Sequence, residues 1–106
     1  MTASYRRYEL LIPLRFNDGQ PVPDSAVAET LLELRNHFGA VSTETQIIRG
    51  LWEHQGEIYR DEHFRLFVDV EDTTANREFF IQFKSRMKER FQQIDMWLTS
   101  HPIDVL

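Results

Sequence analysis

Positions 8, 10, 12, 14 and 16 are Tyr, Leu, Ile, Leu and Phe, an unbroken two-residue period that predicts a strand with one buried face over residues 8–16. The opposite face reads Arg7, Glu9, Leu11, Pro13 and Arg15 and is only half polar; its proline points to a bulge or to a neighbour that does not need the N–H. Asn17, Asp18 and Gly19 form a turn, Pro21 and Pro23 keep the connection extended, and Asp24 or Ser25 is placed to cap a helix. In that helix Val27, Leu31, Leu34 and Phe38 recur at helical spacing, and Gly39 ends it in a left-handed conformation.

Residues 40–53 are rich in β-branched and aromatic side chains and predict a second strand, with Gly50 as a bulge or a point of close approach. Gln55 and Gly56 suit a tight hairpin that sets Trp52 across from Tyr59, while Arg60, Asp61 and Glu62 would suit a longer tip; the first turn is favoured. Phe64, Leu66, Val68 and Val70 alternate with Arg65, Phe67 and Asp69 as a third strand. A second helix opens at Asp72, Thr73 and Thr74, buries Phe80, Phe83, Met87 and Phe91, and closes on Lys88 and Arg90, where the helix dipole favours positive charge. Ile94, Met96 and Leu98 alternate as a fourth strand that Pro102 interrupts near His101, which leaves residues 103–106 unplaced.

The order strand, helix, strand, strand, helix, strand predicts an α+β ferredoxin-like βαββαβ sandwich, a single domain over residues 1–106 with a four-stranded antiparallel sheet and two helices on one face. Two helices cover one side of such a sheet. The other side carries Leu11, Pro13, Phe67 and Trp97 among Arg7, Arg15, Arg65 and Asp69, an apolar patch that predicts an interface, in the simplest case a homodimer.

Composition narrows the function classes. Hydrophobic residues at 42% and charged residues at 27% are globular proportions, far from those of a disordered chain. The absence of cysteine excludes disulfides, thiolate metal sites and a cysteine nucleophile. The first residues lead into a strand pattern without the apolar stretch of about 7–15 residues that a signal peptide needs, and no apolar run approaches the roughly 20 residues of a membrane span, so a cytoplasmic protein without membrane contact is expected. A formal net charge of −5 argues against nucleic acid as a partner. The charge is uneven: residues 53–72 hold seven acids against two arginines, and residues 77–90 hold five bases against two acids, a polarity that favours pairing with a second copy.

Chemistry-bearing motifs are few. His37, His54, His63 and His101 show no paired spacing for a metal, the four glycines are isolated, and Ser42, Ser85 and Ser100 lie outside any nucleophile turn, so neither a metal nor a cofactor is expected. Phe67 and Trp97 are better explained by packing than by base stacking, because the basic RNA-recognition strand motif is missing. The segment 49–63 is denser: Arg49, Trp52, His54, Tyr59 and Asp61 gather around two glycines on neighbouring strands. A cross-strand Trp52–Tyr59 pair accounts for much of it. The alternative is a small-molecule site with Arg49 as anchor, the two rings as walls, and Asp61 or His54 as proton acceptor.

The pattern Gly50-Leu51-Trp52, Gly56, Tyr59-Arg60-Asp61-Glu62, Asn76-Arg77-Glu78-Phe79-Phe80 and Arg90-Phe91-Gln92-Gln93, with the opening Tyr8-Glu9-Leu10-Leu11-Ile12-Pro13-Leu14, resembles a family of small uncharacterised bacterial proteins of the ferredoxin-like class. The resemblance spans nearly the whole chain, implies that fold, and carries no activity. Two functions are therefore expected to compete: a module that self-associates through the open sheet face or an edge strand, and a ligand-binding protein or enzyme of the dimeric α+β barrel type with a pocket near Arg49, Trp52, Tyr59 and Asp61.

Overall fold

The computed structural model describes residues 3–106. Strand β1 (Tyr5–Pro13) is followed by helix α1 (Asp24–Phe38), strands β2 (Ser42–Thr43), β3 (Ile48–His54) and β4 (Glu57–Glu71), helix α2 (Thr74–Arg90) and strand β5 (Leu98–Ile103). All pairings are antiparallel. β1 lies between β4 and β5, and both β2 and β3 pair with the far side of β4. Counting β2 and β3 as one interrupted strand restores the ferredoxin-like order, so the sheet has five strands where the alternation predicts four.

The interruption has a simple geometry. Thr43 pairs with Leu66 and Ile48 with His63, so residues 44–47 oppose only Phe64 and Arg65. Two extra residues bend the strand without exchanging its faces, because side chains alternate with a period of two. Gly50 is therefore not the bulge; it sits in plain register opposite Asp61.

Tyr8, Leu10 and Ile12 of β1 and Leu66, Val68 and Val70 of β4 form the sheet side of the core, closed by Leu34 of α1, Phe80, Phe83 and Met87 of α2, and Phe91 and Met96 beyond it. The helices are tied by Arg90, which donates to Thr30 Oγ1 at 3.0 Å and pairs with Glu29 and Glu33, and by Arg86, 2.9 Å from Glu33. Gly39 adopts φ 88° at the end of α1, as expected, and Thr73 caps α2 by accepting from the Asn76 N–H. At the start of α1 the expected side-chain cap is absent. Pro23 occupies that position with φ −65°, and Asp24 is already the first helical residue.

The last strand also departs from expectation. Of Ile94, Met96 and Leu98, only Met96 is buried, and residues 93–97 form the link that carries the chain from α2 back to the sheet. β5 begins at Leu98 and runs through His101 and Pro102 to Ile103. An edge strand needs donors on one side only, so Pro102, opposite Arg6, does not end it.

β4 is longer than its partner β1, whose pairing stops at His63. The remainder of β4 is held by β3 and, at its base, by one bond from the Leu14 N–H to the Glu62 carbonyl at 3.0 Å, and the two strands project as an arm that contributes to extents of 49 × 29 × 25 Å. On the arm the core-side row of β4 continues outward past Phe64 through Glu62, Arg60 and Ile58, where no helix covers it. Ile58 is 71% exposed and Leu51, its diagonal neighbour on β3, is 73% exposed.

Candidate functional site

The arm turns at Gln55 (φ 50°) and Gly56 (φ 80°), two successive left-handed residues of the kind a two-residue hairpin loop requires. That turn sets the register in which Trp52 faces Tyr59, with ring centroids 4.4 Å apart and planes within 18°. The Trp52 Nε1–H donates to Asp61 Oδ2, so the indole is held at its face and its edge. Ile48, Gly50 and Trp52 share one face of β3. Gly50 leaves a gap in that row opposite Asp61, and a Cβ built there meets nothing within 4 Å.

The residues after α2 supply the facing wall. Gln92 turns the chain with φ 53°, Asp95 is anchored by Lys84 at 3.1 Å and accepts the Met96 N–H, and the Trp97 carbonyl accepts the Leu11 N–H at 3.1 Å. Between arm and link lies a cavity of about 740 Å³, with Pro13, Gly50, Trp52, Asp61, His63 and Trp97 among its lining.

The structure divides the residues singled out in the sequence. Trp52, His54 and Asp61 line the cavity. Arg49, opposite Glu62, projects from the other face of the arm and does not reach it, so the anchoring role read for it has no geometric basis; Tyr59 lies behind Trp52 as its stacking support. Leu11, Pro13 and Trp97, read as an interface, line the same cavity. Phe67 lies elsewhere on that face, with the Arg7 guanidinium 4.3 Å from its ring centroid and held there by Asp69 at 2.8 and 3.0 Å. Arg65, 3.5 Å from Glu44, extends this ionic layer, so the middle of the open sheet face is roofed by arginine side chains instead of lying bare. Lys88, Ile94, Asp95 and Met96 also line the cavity and had no local signal. The last three fall in a stretch whose alternation imitates a strand.

Burial pushes the His63 imidazole below its usual value of 6.5, against the opposing pull of Asp61. A histidine held neutral in the fold binds its proton less readily than in the unfolded chain, so its contribution is constant above 6.5 and stability falls as the pH drops below that value. His63→Gln is expected to flatten this part of the stability–pH curve, measured by urea melts across the window; an unchanged slope would assign the loss to other groups. Asp95 moves the other way. Burial works to raise it, but the Lys84 ammonium and the Met96 N–H together hold its carboxyl below the usual range.

Trp52→Ala removes both the Tyr59 stack and the donor to Asp61, contacts worth about 0.5–1.5 kcal/mol each. The expected result is faster amide exchange confined to residues 48–62, with the core amides of β1 and α2 unchanged.

Among the described residues no three His, Asp or Glu side chains are grouped to hold a metal ion, and no helix is long and apolar enough to cross a membrane. Fold and site together define an α+β protein with two helices on an antiparallel sheet and a projecting arm flanking a cavity. No family model and no curated protein matches the chain. Solved structures do share its fold. A phage SAM lyase in complex with S-methyl-5′-thioadenosine superposes with a TM-score of 0.68 at 11% identity, over 99% of this chain and 93% of that one. CutA1 from Oryza sativa gives 0.65 at 10% identity over 98% and 84%, and the divalent cation tolerance protein Cut A1 from Thermus thermophilus gives 0.63 at 16% identity over 95% and 85%.

Proposed function

We propose that the protein is a self-associating module in which the arm of one copy is covered by another copy. The observation that carries this reading is the arm itself: a two-stranded ribbon projects beyond the helices with Leu51 and Ile58 more than two-thirds exposed on one face. An isolated hairpin is marginal in water and gains stability by packing its apolar face. Charge selects a second copy as the partner. β4 and its flanks are acidic, α2 is basic, and Arg77 and Lys88 on α2 have no ion-pair partner among the described residues. Light scattering on the purified protein should return a whole multiple of 12.7 kDa, two copies being the smallest closed assembly. A monomer at high concentration would overturn the proposal.

A second reading, small-molecule binding, is favoured by the cavity between arm and link, whose volume of about 740 Å³ suits a ligand. The phage lyase that shares the fold holds a small molecule, S-methyl-5′-thioadenosine.

A further inference from the structure

We propose that the cavity beside the arm binds a planar organic cation, seated over Gly50 against Trp52 with Asp61 as its counter-ion. This rests on the reading of the cavity as a ligand site and adds the chemical class. Three independent features support it. The first is Gly50. A glycine inside a strand weakens it and is kept where something approaches closely, yet Gly50 has no positive φ and its missing Cβ would meet no protein atom within 4 Å. The space above it is cavity.

The second feature is the Trp52 indole, which is immobilised by Tyr59 and Asp61 and lines the cavity beside Gly50. Indole faces attract cations through the ring quadrupole, more strongly when the ion is poorly hydrated, as an organic cation is. The third is the charge balance of the lining. Asp95 is already paired with Lys84, whereas Asp61 is half-buried and meets only the neutral Trp52 N–H, with no cationic partner among the described residues. Glu53 also borders the cavity but belongs to the opposite face of the arm, beside Ile58, and Lys88 is the one Lys or Arg among the described lining residues. The same geometry argues against a metal ion, since the carboxylates are not grouped with a third ligand.

The test is calorimetric titration of the full chain with three probes of one shape and different charge: N-methylquinolinium, quinoline and quinoline-2-carboxylate, at neutral pH. The cation is expected to bind about tenfold or more tighter than quinoline, the factor that about 1.4 kcal/mol of cation–π and ionic attraction supplies, and the anion weakest. Asp61→Asn, which keeps an acceptor for the Trp52 N–H, should remove most of that preference. Gly50→Val should abolish binding of all three while leaving the light-scattering mass unchanged and the melting temperature no lower, since a strand glycine gives way to a strand former with room for its side chain. Equal binding of cation and quinoline overturns the cationic class but leaves the cavity as a ligand site. No heat with any probe, or full binding by Gly50→Val, overturns both. The mass of each sample reports separately on self-association, so a monomer that binds the cation would sink only the assembly.

Discussion

The double substitution Leu51→Asp with Ile58→Asp is expected to release the protein to the monomer mass of 12.7 kDa without unfolding it. Both side chains stand on the uncovered face of the arm, 73% and 71% exposed, so neither supports the core and charging them costs the isolated chain little. In an assembly they would be buried. Each buried Leu or Ile contributes about 1.5–3 kcal/mol, so two from each of two copies supply roughly 6–12 kcal/mol before the cost of association, and replacing them with carboxylates adds a desolvation penalty. No complex of this size would survive that loss. The change also adds acid to an arm that already carries Glu53, Glu57, Asp61 and Glu62. Light scattering and the thermal melt decide together: an unchanged mass would show that the arm is not the contact, and a melt that stays cooperative, lowered only by what association contributed, would confirm that the fold is intact.

Phe83→Ala is expected to be the most damaging single substitution in the core. Phe83 is fully buried, and its ring lies 5.9 Å from those of both Phe79 and Phe80, the latter stacked at 4.0 Å on Tyr8 of the central strand. It thereby links α2 to β1. Truncating a buried Phe to Ala costs about 3–5 kcal/mol through lost contacts and the cavity left behind, against a total stability of about 5–15 kcal/mol for an ordinary domain. The variant should unfold at markedly lower urea concentration with an unchanged slope. A loss of under about 1 kcal/mol would mean that the surrounding phenylalanines collapse into the space.

Elements whose pattern is local were legible in the sequence. The alternation of Tyr8, Leu10 and Ile12, that of Leu66, Val68 and Val70, and the spacing of Phe80, Phe83 and Met87 each report a face that meets the core, and all nine are buried. The turn at Gln55 and Gly56 was legible for a different reason: two successive left-handed residues are a backbone demand that a short motif can meet, and the turn then sets the Trp52–Tyr59 register. Alternation misled at Ile94, Met96 and Leu98, where a link that dips one residue into the core imitates a strand. Gly50 was ambiguous, because a glycine in a strand looks the same whether it bulges or leaves room.

By itself, then, the sequence determined the two helices, the order of the elements and the core-facing rows of β1, β4 and α2, since these follow from backbone periodicity and from which side chains water rejects. The tertiary structure decided the rest. How far β4 outruns β1, and so how much of the hairpin stands free as an arm, depends on pairing between segments about fifty residues apart. The cavity lies where that arm faces the link after α2, bringing Trp52 and Asp61 together with Trp97. Arg49 and Trp52, three residues apart in the chain, end on opposite sides of the arm, while Trp52 and Trp97 come to line one cavity. Side-chain direction on a strand is local, but what stands opposite it is set only when the sheet closes.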